Sequence, residues 1–184
     1  IEETIIAHMK KQKQMLSKGV KVLSLFFIDK VANYVEDDGI IKKLFDDAYE
    51  QIKQSYPYYS GWDASQVRQG YFAKKTTKGK PDVFIDTSEE KKTKAEKELE
   101  KAAYNLIMKD KEKLLGFDEK TSFIFAHSAL KEGWDNPNVF QICTLNQTVS
   151  ATKKRQEIGR GLRLAVNQDG HRVHDDQVNI LTVV

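Results

Sequence analysis

One cysteine, Cys143, is all the chain has, so no internal disulfide can staple it. It lies in the apolar run Val139-Phe-Gln-Ile-Cys-Thr-Leu145. A thiol so placed is expected to be buried and inert, in a reducing cytoplasmic setting. No apolar stretch approaches the ~20 residues that a membrane-spanning helix needs, so no membrane partner is expected. The net charge of +3 is too mild to argue for nucleic acid by itself. The four histidines (His8, His127, His171, His174) lack metal-ligand spacing, and no metal site is expected of them. His171 and His174 fall in a polar stretch and read as surface residues.

Two further absences concern nucleotide chemistry. The chain contains no G-x-x-x-x-G-K-[ST] phosphate loop. It also has no Asp-Glu-x-His or Asp-Glu-x-Asp box at a strand end; Asp118-Glu-Lys-Thr121 does not fit. No signal or transit peptide is visible, and the first residue is not methionine. The chain starts inside a helical pattern and stops on a strand-like run, so it is expected to be a fragment of a larger protein. What it does contain, 40% apolar and 31% charged residues over 184 positions, suits one well-filled globular domain.

The most informative stretch is Arg155-Gln-Glu-Ile-Gly-Arg-Gly-Leu-Arg163, where Gln156, Gly159, Arg160 and Arg163 fit Q-x-x-G-R-x-x-R. On a helix, spacings of four and then three share one face, so Gln156, Arg160 and Arg163 are expected to project together. Gly159 removes a side chain beside them and lets another group approach the backbone. Two guanidiniums and an amide converging on one point suit a triphosphate, because arginine's planar fork matches phosphate oxygens. The plainer alternative is a solvated basic helix ending at a glycine cap.

A second motif lies upstream. Phe123-Ile-Phe-Ala126 leads into Ser128-Ala-Leu-Lys-Glu-Gly-Trp-Asp-Asn-Pro-Asn138, and Val139–Leu145 leads out. Both flanking runs are short, β-branched or aromatic, and bounded by turn residues, so each reads as a buried strand. Gly133, Asp135, Asn136 and Pro137 are turn chemistry and place Glu132 and Asp135 at a strand edge. Alone, Gly-Trp-Asp is weak; followed by a strand and then Q-x-x-G-R-x-x-R, it is a specific signal.

The pair resembles motifs V and VI of superfamily 2 helicases, in the second of their two RecA-like motor domains. Ser128–Leu145 and Arg155–Leu164 are most similar to the Res (restriction and helicase) subunit of type III restriction–modification enzymes. Val22–Tyr34 resembles that family's motif IV region, and Gln69-Gly-Tyr-Phe72 resembles the stretch that follows it. The similarity covers most of the chain and is weakest at about residues 37–65 and 74–88.

The rest of the sequence alternates helices and strands. Ile5, Ile6, Met9 and Leu16 mark an opening amphipathic helix stopped at Gly19. Residues 21–28 read as a strand, and Asp29 as the N-cap of a short helix carrying Val31 and Tyr34. Ile40 to Ile52 follows the helical period, with Pro57 ending the run. Tyr56, Tyr58, Tyr59 and Trp62 form an aromatic patch, read as packing beneath a connection in preference to base stacking. Val67–Phe72 reads as a short strand. Residues 74–88 form an insertion-like loop or a hairpin through Val83–Ile85, its lysines (Lys74, Lys75, Lys78, Lys80) solvated. A charged surface helix is expected over residues 89–115, with Leu99, Ala102, Ala103, Leu106 and Ile107 as its apolar stripe, and a final strand over Val178–Val184.

Strands separated by helices predict an α/β domain, a mainly parallel sheet with helices on both faces, and ligands at the carboxyl ends of its strands. The resemblance implies a RecA-like (P-loop NTPase-type) domain spanning 1–184. It implies Arg160 as arginine finger, Gln156 and Arg163 on the γ-phosphate, and Gly133, Asp135 and Gly159 bordering the nucleotide. Ser128, Lys131 and the backbone after Phe27 would touch the DNA backbone. ATP and Mg2+ would be shared with a first motor domain outside this chain. Double-stranded DNA, a nuclease domain of the same protein and a methyltransferase (modification) subunit are the implied partners. Two other readings stay open at this point: a motor of another superfamily 2 repair or remodelling helicase, and a non-enzymatic DNA-binding or interaction module on the same fold.

Overall fold

Leu23-Ser-Leu-Phe-Phe-Ile28 is nearly continuous in apolar residues, the signature of a strand covered on both faces, and all six residues are buried. In the computed structural model this strand, β1, is the centre of the domain. The structure describes residues 1–72, 74–75, 83–84, 98, 102, 104–127, 136–145, 155, 158–159, 161 and 163–184.

β1 is flanked by β5 (Phe123–Ala126) and β6 (Val139–Leu145), with β2 (Arg68–Tyr71) and β7 (Thr182–Val183) at the edges. The sheet order is β2-β5-β1-β6-β7, and every pairing is parallel. A separate two-stranded antiparallel pair joins β3 (Lys74–Lys75) to β4 (Val83–Phe84), so the insertion-like stretch contains a hairpin pairing. The α/β class expected from the sequence is the one observed.

Alternation along the strands divides the core. Phe26, Ile28, Phe123, Phe125 and Cys143 face one side. There they meet Ile5 and Met9 of α1 (Glu2–Met15), Tyr34 of α2 (Ala32–Val35) and Ile41, Phe45 and Tyr49 of α3 (Ile40–Ile52). Leu23, Leu25, Phe27, Ile124, Ala126 and Ile142 face the other side, against Ile107 and against Leu114 of a later short helix, Lys111–Leu115. Burial of such side chains contributes about 1.5–3 kcal/mol each, far more than helix propensity can, so packing fixes α3. Leu23 pairs with Val139 while Ser24 pairs with Gln141, leaving Phe140 without an opposite residue. The bulge turns Phe140 into a third cluster with Met15, Val20, Val22, Ala165 and Val178.

Local chemistry explains most boundaries. α1 passes through a 3-10 turn (Leu16–Lys18) to Gly19, whose φ of 62° closes it as expected. Leu16 itself is exposed, and Met15 takes the core position instead. α3 ends before Pro57, which opens the next turn (Pro57–Tyr59) at its first position. α4 (Ala64–Val67) starts at a reciprocal capping box between Asp63 and Gln66. Cys143 is buried and free.

Three expectations are corrected. Asp29 is not the cap of α2: its Oδ1 accepts the Lys30 N–H (2.8 Å) and the Asn33 amide (3.2 Å), and the helix begins two residues later than that cap would set. The charged run is not one continuous helix up to 115, because a π-turn (Asn105–Lys109) breaks at Asp110, where φ is −100° and ψ 51°. We call the following helix, Lys111–Leu115, α5. Of its expected stripe, Ile107 is buried and Ala102 exposed; Leu99 and Ala103 lie outside the described residues. The last strand shrinks to Thr182–Val183, because Val178 N–H bonds to Asp175 O in a turn and its side chain enters the third cluster.

Buried polar side chains tie these layers together. His8 on α1 reaches Ser24 Oγ (2.7 Å) through Nδ1 and Tyr59 Oη (2.8 Å) through Nε2, while Ser24 donates to Gln141 Oε1 (2.9 Å). Ser24 has one proton and spends it on Gln141, so His8 must donate from Nδ1 and accept at Nε2 from Tyr59. Burial, with Lys21 nearby, pushes the His8 pKa down to about 3. Gln12 serves the chain after Gly19, donating to Val20 O and accepting from the Val22 N–H. Lys21 donates to the carbonyls of Leu114 and Glu119, fastening the end of α5 to the sheet.

Candidate functional site

In a parallel sheet all carboxyl ends lie on one edge, and here that edge carries Ile28, Tyr71, Ala126 and Leu145. β5 ends two residues before Ser128, so the chain enters the Ser128–Asn136 motif from this edge. β6 likewise ends there, ten residues before Arg155. Asp29 and Lys30, exposed just past β1, stand on the same edge.

Of the residues singled out from sequence, Gly159 and Arg163 are described. Gln156, Arg160, Gly133, Asp135, Ser128 and Lys131 lie outside the described residues. Arg155, Ile158 and Gly159 are helical. No described atom comes within 4 Å of where a Cβ on Gly159 would stand. The Gly161 N–H donates to Ile158 O at 3.0 Å, a tightened turn that ends the helix. Arg163 therefore lies past the helix end, exposed, with its N–H on Gly161 O (3.1 Å). The expected single helical face for Gln156, Arg160 and Arg163 does not extend to Arg163.

Gly161 is closely packed where this turn closes. A Cβ there would stand 2.6 Å from Leu181 Cδ1 and 3.1 Å from the Val139 carbonyl oxygen. Gly161 is buried against the first residue of β6, at the amino edge of the sheet. The motif thus ends at the edge opposite the one on which ligands were expected. Gly161 is a variable position in Q-x-x-G-R-x-x-R, so the pattern gave no reason to single it out; a second glycine two residues after the first was the available signal.

Sequence reasoning also missed a set of amides that fix the chain after Arg163. Asn138 Nδ2 donates to Val166 O (2.9 Å), and the Val166 N–H donates to Asn138 Oδ1 (2.8 Å). Asn179 Oδ1 accepts the Ala165 N–H, while its amide donates to Val173 O and Asp175 O. Gln168 accepts the Phe117 N–H and donates to Leu115 O. Asn136 Oδ1 accepts the Asn138 N–H at 3.1 Å, and its buried Nδ2 has no acceptor among the described residues. Asn-Pro-Asn read only as turn chemistry, because nothing local reveals a partner 28 residues away.

Among the described residues no three His, Cys, Asp or Glu side chains converge as a metal cage. No described helix is long and apolar enough to cross a membrane. His171 and His174 are exposed. The aromatic patch packs as expected: Tyr59 is fully buried, and Tyr58 and Trp62 meet edge to face at 4.9 Å.

No protein-family model matches the chain. It is 40% identical over 192 residues to the type III restriction-modification enzyme EcoPI Res subunit of Escherichia phage P1, a match covering 95% of this chain and 18% of that protein. It is 38% identical over 192 residues to the EcoP15I Res subunit of Escherichia coli, with the same two coverages. Identity to the StyLTI Res subunit of Salmonella typhimurium is 34% over 186 residues, 86% of this chain and 17% of that protein. The chain thus spans about 18% of the length of the curated relatives it matches. Its parallel sheet with helices on both faces is the RecA-like architecture that the resemblance implied.

Proposed function

From this similarity to a segment of type III Res subunits, we propose that the chain is the second RecA-like motor domain of an ATP-dependent DNA translocase in a restriction enzyme. The observation that carries the reading is the match over 95% of the chain to two Res subunits. The sheet supports it at one point: β5 ends two residues before Ser128 at the carboxyl edge, where ligands of open α/β sheets bind.

Arg160 is the arginine finger in this reading, stabilising charge on the transferring phosphoryl group, and Gln156 and Arg163 contact the γ-phosphate. A glycine at 159 carries no side chain and so suits a close backbone approach by phosphate. Gly133 and Asp135 border the nucleotide. Ser128, Lys131 and the backbone after Phe27 hold phosphates of the tracked strand, a sequence-independent contact suited to a motor. ATP with Mg2+ supplies the hydrolysable phosphoanhydride, and the phosphate loop and magnesium ligands lie on a first motor domain. Double-stranded DNA, a nuclease domain and a modification subunit are the partners, in the cytoplasm. In this reading the lysines of the 74–88 insertion make no contact with DNA.

The test is steady-state ATP hydrolysis with and without DNA. The full-length protein should show DNA-stimulated turnover, while the isolated 184-residue chain stays at background. A full-length protein that binds DNA without hydrolysing ATP would sink the reading in favour of a binding module.

A further inference from the structure

The loop holding Ser128–Asn136 ends where β6 begins, and the segment holding Gln156–Arg163 ends at the hairpin that starts at Ala165. One side chain joins those two ends. The Asn138 amide presents a donor and an acceptor as a peptide group does, and both engage the same residue: Nδ2 on Val166 O at 2.9 Å and Oδ1 on the Val166 N–H at 2.8 Å. Asn138 is buried, so water does not compete for these bonds. The joint is reinforced next door, where Gly161 lies against the Val139 carbonyl and Leu181. The hairpin is itself fixed, with the Val173 N–H on Ala165 O at 2.8 Å and the Asn167 N–H on His171 O at 3.0 Å.

We propose that Asn138 is a positioning residue that couples the DNA-contacting loop to the nucleotide-contacting segment through its two-point clamp on Val166. It touches neither ligand. A shift of the 128–136 loop on DNA is passed to the backbone that ends the arginine-bearing segment, because the clamp allows little relative movement. The inference rests on the motor reading above.

Asn179 provides the control. It anchors the same hairpin, through the Ala165 N–H and the Val173 and Asp175 carbonyls, and among the described residues its side chain bonds none of 136–138. In the full-length protein, Asn138→Leu should lower the ratio of DNA-stimulated to basal ATP turnover about tenfold, the factor that one buried hydrogen bond of ordinary strength represents. Basal turnover should change little. Asn179→Leu should lower thermal stability and leave that ratio intact. Hydrogen exchange should show the Val166 amide losing protection in Asn138→Leu while β1 and β5 stay protected. If Asn138→Leu does not fold, Asn138→Ser, which leaves room for a bridging water, is judged by the same ratio. Equal falls in basal and stimulated turnover, or the same loss of ratio in Asn179→Leu, would reduce Asn138 to a structural residue. An unchanged Val166 amide would remove the clamp while leaving the motor reading in place. A wild-type protein without DNA-stimulated turnover would remove the motor reading itself and this coupling with it.

Discussion

His8 Nε2 accepts the Tyr59 hydroxyl proton at 2.8 Å, joining two residues 51 positions apart at the heart of one face of the sheet. Both are fully buried, so each depends on the other for its hydrogen bond. Tyr59→Phe should cost about 1–3 kcal/mol, because His8 keeps a buried acceptor with nothing to accept. Urea unfolding at neutral pH gives the value.

The same pair sets an acid limit. Burial holds the His8 pKa at about 3 against an ordinary 6.5. Between those values the unfolded chain binds a proton that the folded chain refuses, so stability falls as pH drops through this window. Replacing His8 with Phe should lower stability at neutral pH and flatten its acid dependence between pH 6.5 and 3. An unchanged acid slope in the variant would mean that His8 is not the group responsible.

Lys21 behaves as the basic counterpart. Burial, opposed by Glu119, lowers its pKa to about 8, below the ordinary 10.5. Above pH 8 the unfolded chain retains a proton that the folded chain has released, so this group makes stability rise with pH up to about 10.5. The neutral amine can still donate to Leu114 and Glu119. Lys21→Met should abolish that increment, seen by comparing urea midpoints at pH 7.5 and 10 in the variant and the wild type.

Gly161→Ala should destabilise the domain by about 1–3 kcal/mol, the range for overpacking a filled site. Leu181 can swing its Cδ1 away, but the Val139 carbonyl belongs to β6 and cannot. Gly159→Ala meets no described neighbour and should cost little beyond any effect on nucleotide. Thermal unfolding of the two variants separates the glycines cleanly.

These residues mark where the sequence was legible. Strands such as Leu23–Ile28 and Phe123–Ala126 announced themselves, because burial on both faces leaves an unbroken apolar run. Helix α3 was equally plain from Ile41, Phe45 and Tyr49 at spacings of four. The break at Asp110 and the failed cap at Asp29 were hidden: the Asp29 carboxylate turns to its own neighbours Lys30 and Asn33, a choice that residue type alone does not fix. The clamp of Asn138 on Val166 and the bridge from Tyr59 through His8 to Ser24 were invisible because polar side chains carry no mark of a distant partner. The arginine motif itself was legible as a pattern, while the turn at Gly161 that leaves Arg163 beyond the helix, packed against Leu181 and Val139, was not.

The central claim is that Arg160 completes an ATP site shared with another motor domain, and DNA-stimulated ATP turnover by the full-length protein carrying Arg160→Ala tests it most directly. Nucleotide binding should persist while turnover falls by about 10³–10⁵, the contribution of an arginine finger. Arg160→Lys should recover little, because a point charge does not reproduce the planar fork. Near-normal turnover in Arg160→Ala would contradict the claim, and if Arg163→Ala then abolished turnover the two arginines would exchange roles.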